Sequence, residues 1–234
     1  MGSVLLVYGQ FTYLQRGYRL VCSHVSVVPG AFCHLETAYF CPRKESWVMT
    51  VTKSFDLSEE ILDVLIKEFP PKEVVDDFAS QCAGKDTQER LAVGQRVFGD
   101  WGRRWMNRSV DLGEEYSDQT YEMMKKVARE TGLFAFPHVP QRFFEIAYMG
   151  VQPIPFLKIV VNNQQQLAYR LTKCAIFDRI EEKCGQEIAA ELHCKHACLA
   201  GAETLFDRLG MKANVRQVTT IPADGKCEFS TVQG

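Results

Sequence analysis

Apolar and polar positions alternate over residues 47–52. Trp47, Met49 and Val51 fall on one side, and Val48, Thr50 and Thr52 on the other, which is the two-residue period of a strand. Residues 4–7 form a short apolar run, residues 18–28 are rich in β-branched side chains, and Pro29-Gly30 and Cys41-Pro42 supply turns. Residues 1–55 are therefore expected to be a β-rich N-terminal segment. The period then lengthens. After Ser58, a residue suited to an N-cap, Ile61, Leu62, Leu65, Ile66 and Phe69 share one helical face, and Pro70-Pro71 ends the run.

Asp86 is placed to cap a second helix whose apolar positions are Leu91, Val97, Phe98, Trp101 and Trp105. Gly94, Gly99 and Gly102 weaken that helix by roughly 1 kcal/mol each relative to alanine. Their presence beside two tryptophans points to a helix packed closely on a neighbour, ahead of a pocket wall. A further helix is expected over residues 114–130, stopping at Gly132. Phe134, Phe136, Pro137, His138, Pro140, Phe143, Phe144 and Tyr148 then form an aromatic, proline-rich stretch that reads as a loop packed on the core or closing over a pocket.

The last third is the most regular. Strands are expected over residues 156–161 and 167–172. Ile176, Phe177 and Ile180 share a helical face ending near Gly185, and Leu199, Ala202, Leu205, Phe206 and Leu209 share another ending at Gly210. Two more strands, 214–221 and 226–232, flank the turn Pro222-Ala223-Asp224-Gly225. The whole reads as an α+β protein, an antiparallel sheet with helices packed on it and enclosing an apolar pocket. Residues 56–234 are its main domain.

At 234 residues the chain can bury a full core without a disulfide or metal. A net charge of −2, with its basic clusters (Arg103, Arg104, Arg108; Lys125, Lys126, Arg129) set among acids, gives no footprint for nucleic acid. No window has the roughly 18 uninterrupted apolar residues of a membrane span, and no signal-peptide pattern opens the chain. The expectation is a cytoplasmic protein with nine reduced cysteines. A homodimer is left open.

There is no phosphate-cradling loop, dinucleotide fingerprint, Gly-x-Ser-x-Gly elbow or His-Glu-x-x-His motif. The one dense cluster is His193-Cys194-Lys195-His196-Ala197-Cys198. If a helix starts here, Cys194 and Cys198 share a face. Beside Lys195 and His196, Cys194 is expected to titrate low, which suits a nucleophile or a metal ligand, while the same spacing also occurs in ordinary cores.

Three segments carry a family resemblance: Leu171-Thr172-Lys173-Cys174, Leu192-His193-Cys194, and Thr219-Thr220-Ile221-Pro222-Ala223-Asp224-Gly225-Lys226-Cys227-Glu228-Phe229. In order and spacing, over residues 165–231, this part of the chain resembles the L-2-amino-thiazoline-4-carboxylate hydrolase family, with Trp101-Gly102 as its tryptophan-bearing helix. The resemblance extends to the 4-vinyl-reductase-like and vesicle-tethering folds and implies a pocket for a small-molecule substrate. Zinc-holding relatives place ligands where this chain has Arg216 and Thr219 beside Cys194 and Cys227, so no cofactor or metal is expected, with a zinc held by Cys194, Cys227 and His193 or His196 as the alternative. The family's acid after the middle cysteine falls on Ala197.

The resemblance implies opening of a C–N or C=N bond in a small heterocycle, with Cys194 attacking and His196 or His193 moving the proton. Cys174 and Cys227 would floor the pocket, and Trp101, Trp105, Phe136, His138 and Phe144 would shape it. Arg104 and Arg216 are candidate anchors for a substrate carboxylate, with surface salt bridging as the more common role for such arginines. Two alternatives stand beside it: a cofactor-free cyclase or isomerase of specialised metabolism using the same pocket, and a non-catalytic ligand-binding or scaffold protein.

Overall fold

The computed structural model describes residues 56–152 and 157–234, all within one compact unit, Thr50–Gly234. The β-rich expectation for residues 1–55 lies outside the described residues. The described chain is α+β. Its elements run α1 (Glu59–Glu68), α2 (Pro71–Cys82), α3 (Thr87–Glu115), α4 (Gln119–Thr131), α5 (His138–Val151), β1 (Leu157–Asn162), β2 (Gln166–Leu171), α6 (Ala175–Cys184), α7 (Gln186–Ala190), α8 (Lys195–Arg208), β3 (Ala213–Thr219), the single turn α9 (Ile221–Asp224) and β4 (Cys227–Gln233). None of the described helices is long and apolar enough to cross a membrane.

The four strands form one antiparallel sheet in the order β1-β2-β4-β3. Tyr169 pairs with Phe229 and Leu171 with Cys227, so these side chains share the inner face. On the other face Arg170 donates to Glu228 at 2.8 Å.

α3 is the long central helix. Its start is fixed by a capping box, Asp86 accepting from the Glu89 amide while Glu89 accepts from that of Asp86. α3 packs along α8, where a Cβ on Gly102 would come within 2.2 Å of the Ala197 carbonyl oxygen. Only a hydrogen at that position lets the two helices meet, so the close-packing reading of the glycines holds there. A line of aromatic rings ties the layers together. Trp101 stacks on Trp105, Trp105 meets Tyr148 edge-on, and Tyr148 and Phe229 both contact Tyr169.

Several expectations are corrected. Pro70-Pro71 ends α1 but also starts α2, because proline at the first helical position gives up no hydrogen bond. The helix expected over 114–130 is two elements: α3 runs on to Glu115, and Asp118 caps a new start by accepting from the Tyr121 amide at 2.8 Å. The aromatic stretch from His138 onward is the buried helix α5, not a loop. Pro140 falls in its first turn, where no amide donor is needed. The turn at 222–225 is α9, closed by Gly225 at φ 67.

Candidate functional site

The strand–helix step at the end of β2 places Cys174 as the N-cap of α6. Its sulfur accepts from the Phe177 amide at 3.4 Å, in the manner of a capping oxygen. Gln152, just past α5, holds the same sulfur. Its Oε1 accepts from the Ala175 amide at 2.8 Å, which fixes the amide orientation and turns Nε2 toward Cys174 Sγ at 3.5 Å. Gln152 and Cys174 are both buried.

Cys194 precedes α8 and makes no capping hydrogen bond with its side chain. Its thiol is hydrogen-bonded to Cys174 instead, and Cys198 and Cys227 interact electrostatically with the pair. Cys198 lies one turn further along α8, as their four-residue spacing predicts. Cys227 opens β4 and accepts from Gln217 Nε2 at 3.4 Å. Four sulfurs from α6, α8 and β4 thus gather at one end of the sheet, next to the Tyr148 and Tyr169 hydroxyls, which lie 3.3 Å apart.

The electrostatics divide the pair. Cys174 is held below the usual thiol range, first by the hydrogen bond from Cys194 and then, against the cost of burial, by the Phe177 and Ile176 amides and Gln152. Cys194 is pushed well above it, by its bond to Cys174 and by burial. For Cys194 this direction is the opposite of the low titration expected from its place before a helix. Burial also raises Cys198, and raises Cys227 to about 11.

The two histidines stand apart from the sulfurs. His193 is fully buried against Phe78 and Gly94, and its Nε2 meets Glu191 at 2.6 Å. Glu191 also accepts from Arg90 Nε at 3.1 Å and pairs with Arg90 Nη2, so an Arg90–Glu191–His193 chain joins α3 to the turn before α8. Nε2–H donates to the Glu191 carboxylate, leaving Nδ1 buried without a partner among the described residues. Leu192, at φ 56, is the left-handed residue between α7 and this turn. His196 is partly buried, and burial lowers its pKa. Neither imidazole is hydrogen-bonded to a sulfur among the described residues.

The other expected substrate residues divide between core and surface. Trp105, Phe136 and Phe144 are core side chains, and Trp105 Nε1 donates to the Ala147 carbonyl at 3.1 Å. His138 is partly buried beside Phe134. Trp101 and Arg104 line a cleft of about 220 Å³ with Phe69, Val74 and Val97, on a face that includes none of the four cysteines. Arg216 is exposed on β3, alternating with inward-leaning Gln217.

Sequence reasoning missed Gln152, Gln217, Tyr148 and Tyr169 as neighbours of the sulfurs, and it left Cys198 without a role. Only the Cys194–Cys198 spacing carried a signal. Among the described residues no group of three or more His, Cys, Asp or Glu is arranged to hold a metal ion. Comparison of the chain with family models, curated proteins and solved structures finds no match.

Proposed function

We propose that this chain is a small-molecule enzyme that opens a C–N or C=N bond in a small heterocycle, in keeping with the resemblance to thiazoline-carboxylate hydrolases. The attacking group is Cys174, not Cys194. The observation that carries this reading is the set of donors around Cys174 Sγ: two backbone amides at a helix start, the Gln152 amide and the Cys194 thiol. These stabilise a thiolate, which is the nucleophilic form.

In this mechanism Cys174 adds to the electrophilic carbon of the ring. Cys194, kept protonated by its raised pKa, gives its proton to the departing nitrogen. The Cys194 thiolate left behind takes a proton from the incoming water. The resulting hydroxide displaces Cys174 as a thiolate, and the pair returns to its starting protonation state. The net change is the addition of one water across the broken bond. Gln152 orients the nucleophile throughout.

A second reading has one observation in its favour. With both imidazoles away from the sulfurs, the closely spaced Tyr148 and Tyr169 hydroxyls are the remaining proton-moving groups at the cluster, which suits a cofactor-free isomerase or cyclase.

Turnover of 2-amino-thiazoline-4-carboxylate and related cyclic amidines, followed by mass spectrometry, tests the hydrolase. Cys174→Ser should abolish turnover, while Cys194→Ser should lower kcat and leave binding in place. Full activity in Cys174→Ser would rule the mechanism out. Activity lost in Tyr148→Phe but kept in Cys174→Ser would favour the isomerase.

A further inference from the structure

The cleft that Trp101 and Arg104 line lies where the end of α1 and the first turns of α2 meet α3. Its floor is apolar and buried, made by Phe69, Val74, Val97 and Trp101. Its rim is charged on both sides. Glu73 and Asp77, four residues apart and so on one face of α2, stand on one wall. Arg104 stands on the other, three residues beyond Trp101 on α3.

These opposite charges are not paired with each other. Among the described residues neither Glu73 nor Arg104 makes a hydrogen bond or an ion pair, although both line the same hollow. Asp77 accepts from Gln81 of its own helix, at 2.7 Å, on Oδ1. The other arginines along this side of α3 are occupied: Arg96 is hydrogen-bonded to Gln81, Arg103 to Asp100 at 2.6 Å and Arg108 to Glu68 at 3.0 Å. Trp101 adds an unused donor. Only 4% of it is exposed, and its Nε1 makes no hydrogen bond among the described residues, whereas Trp105 Nε1 donates to the Ala147 carbonyl. Two carboxylates at i and i+4 repel when no cation lies between them, and a buried N–H without an acceptor is a cost to the fold. One wall thus lacks a cation and the other an anion.

We propose that this cleft binds a free α-amino acid with an apolar side chain about one ring in size, at a site separate from the cysteine cluster. The ammonium of the ligand sits against Glu73 and Asp77. Its carboxylate accepts from Arg104 and the Trp101 indole, and its side chain covers Phe69, Val74 and Val97. An apolar cavity of about 150 Å³ holds one benzene ring. At about 220 Å³ the cleft has room for such a ring and a short charged head. A plain amine would leave Arg104 and Trp101 without an acceptor, and a plain carboxylic acid would bring no cation to Glu73 and Asp77. A molecule with both charges on one carbon satisfies both walls. The site does not depend on the reaction proposed for the cysteines, none of which lines the cleft.

Isothermal titration calorimetry of the full chain with L-phenylalanine tests this, with 3-phenylpropionate and 2-phenylethylamine carrying the same ring and one charge each. The expected result is one site per chain for L-phenylalanine. Each analogue should bind about tenfold or more weakly, the loss of one charge-assisted contact. The variants should cross. Arg104→Gln weakens L-phenylalanine and leaves phenylethylamine unchanged, whereas Glu73→Gln weakens L-phenylalanine and leaves phenylpropionate unchanged. Both side chains are exposed, so both variants should fold as the parent does, which circular dichroism checks. Arg103→Gln, whose guanidinium is already paired with Asp100, is the control and should bind as the parent does. No binding of L-phenylalanine at millimolar concentrations, equally tight binding of either one-charge analogue, or an affinity indifferent to both Arg104 and Glu73 overturns the proposal.

Discussion

Gly102 on α3 and Ala197 on α8 meet backbone to backbone, so that a Cβ at position 102 would sit 2.2 Å from the Ala197 carbonyl oxygen. The contact holds together two helices that frame the thiol cluster, because Ala197 lies between Cys194 and Cys198. A carbonyl in the first turn of a helix cannot swing aside as a side chain can. Gly102→Ala should therefore destabilise the protein by about 3 kcal/mol or more, the upper end for an overpacked core. Gly99→Ala is the control on the same helix. Its Cβ would meet only the Arg103 guanidinium, at an ordinary 3.5 Å. It should stabilise by up to about 1 kcal/mol through helix propensity alone. Urea midpoints of the two variants measure the difference, and equal losses would contradict the close-approach argument.

The pH dependence of stability should carry the mark of His193. Burial lowers its pKa in the folded chain, and the Glu191 bond offsets that only in part. A group depressed on folding contributes fully above its unfolded pKa, and the contribution is lost as pH falls toward the folded value. The melting temperature should hence decline as pH drops below about 6.5, the unperturbed histidine value. His193→Gln, which can still donate to Glu191, should flatten that decline. An unchanged pH profile in the variant would show that other groups set it.

Cys174 should alkylate faster with iodoacetamide at neutral pH than Cys227, whose thiol burial raises to about 11. Gln152→Leu removes one donor to the Cys174 sulfur and the acceptor for the Ala175 amide. It should slow that alkylation and move its pH profile upward. It should also cost about 1–2 kcal/mol, as expected when a buried hydrogen-bonding group loses its partner. Site-resolved alkylation rates over a pH series check both effects, and a rate at Cys174 insensitive to Gln152 would exclude the amide as its orienting group.

Arg142 and Asp118 form an ion pair with side chains 12% and 5% exposed, and Asp118 also caps α4. The guanidinium lies over the Tyr121 ring at 4.5 Å. Arg142→Leu leaves the buried carboxylate with the Tyr121 amide but without its counter-charge, and should cost about 3 kcal/mol or more. Adding Asp118→Asn to that variant should recover part of the loss, because the cap survives without a charge. Chemical denaturation of the single and double variants gives the coupling directly.

What was legible in the sequence follows the range of each signal. Helix and strand faces repeat every few residues, so α1, the body of α3, α6, α8 and the β3–β4 pairing could be read from periodicity, and Asp86 from its position before an apolar run. The Pro70-Pro71 step shows the limit: the same dipeptide that stops one helix starts the next, and only packing of Val74, Val75 and Phe78 into the core decides that α2 exists. The aromatic content of α5 misled in the same way. Phe143, Phe144 and Tyr148 are core rings on one helical face, and the prolines that suggested a loop stand before it and in its first turn.

The sequence by itself determined the α+β character and most of the element order, because residue type and short-range spacing suffice for these. Cys174, Cys194 and Cys227 are grouped only through the family resemblance, and Cys198 is not grouped with them. Only the tertiary structure decided which thiol is lowered and which raised, and where the histidines go. A thiol's acidity depends on donors brought from α5, α6 and the start of α8, residues up to 42 positions apart between Gln152 and Cys194. His193 stands next to Cys194 in the chain, yet Glu191 and Arg90 draw it into the interface with α3. Neighbours in sequence can face different partners, and electrostatics follows distance in space.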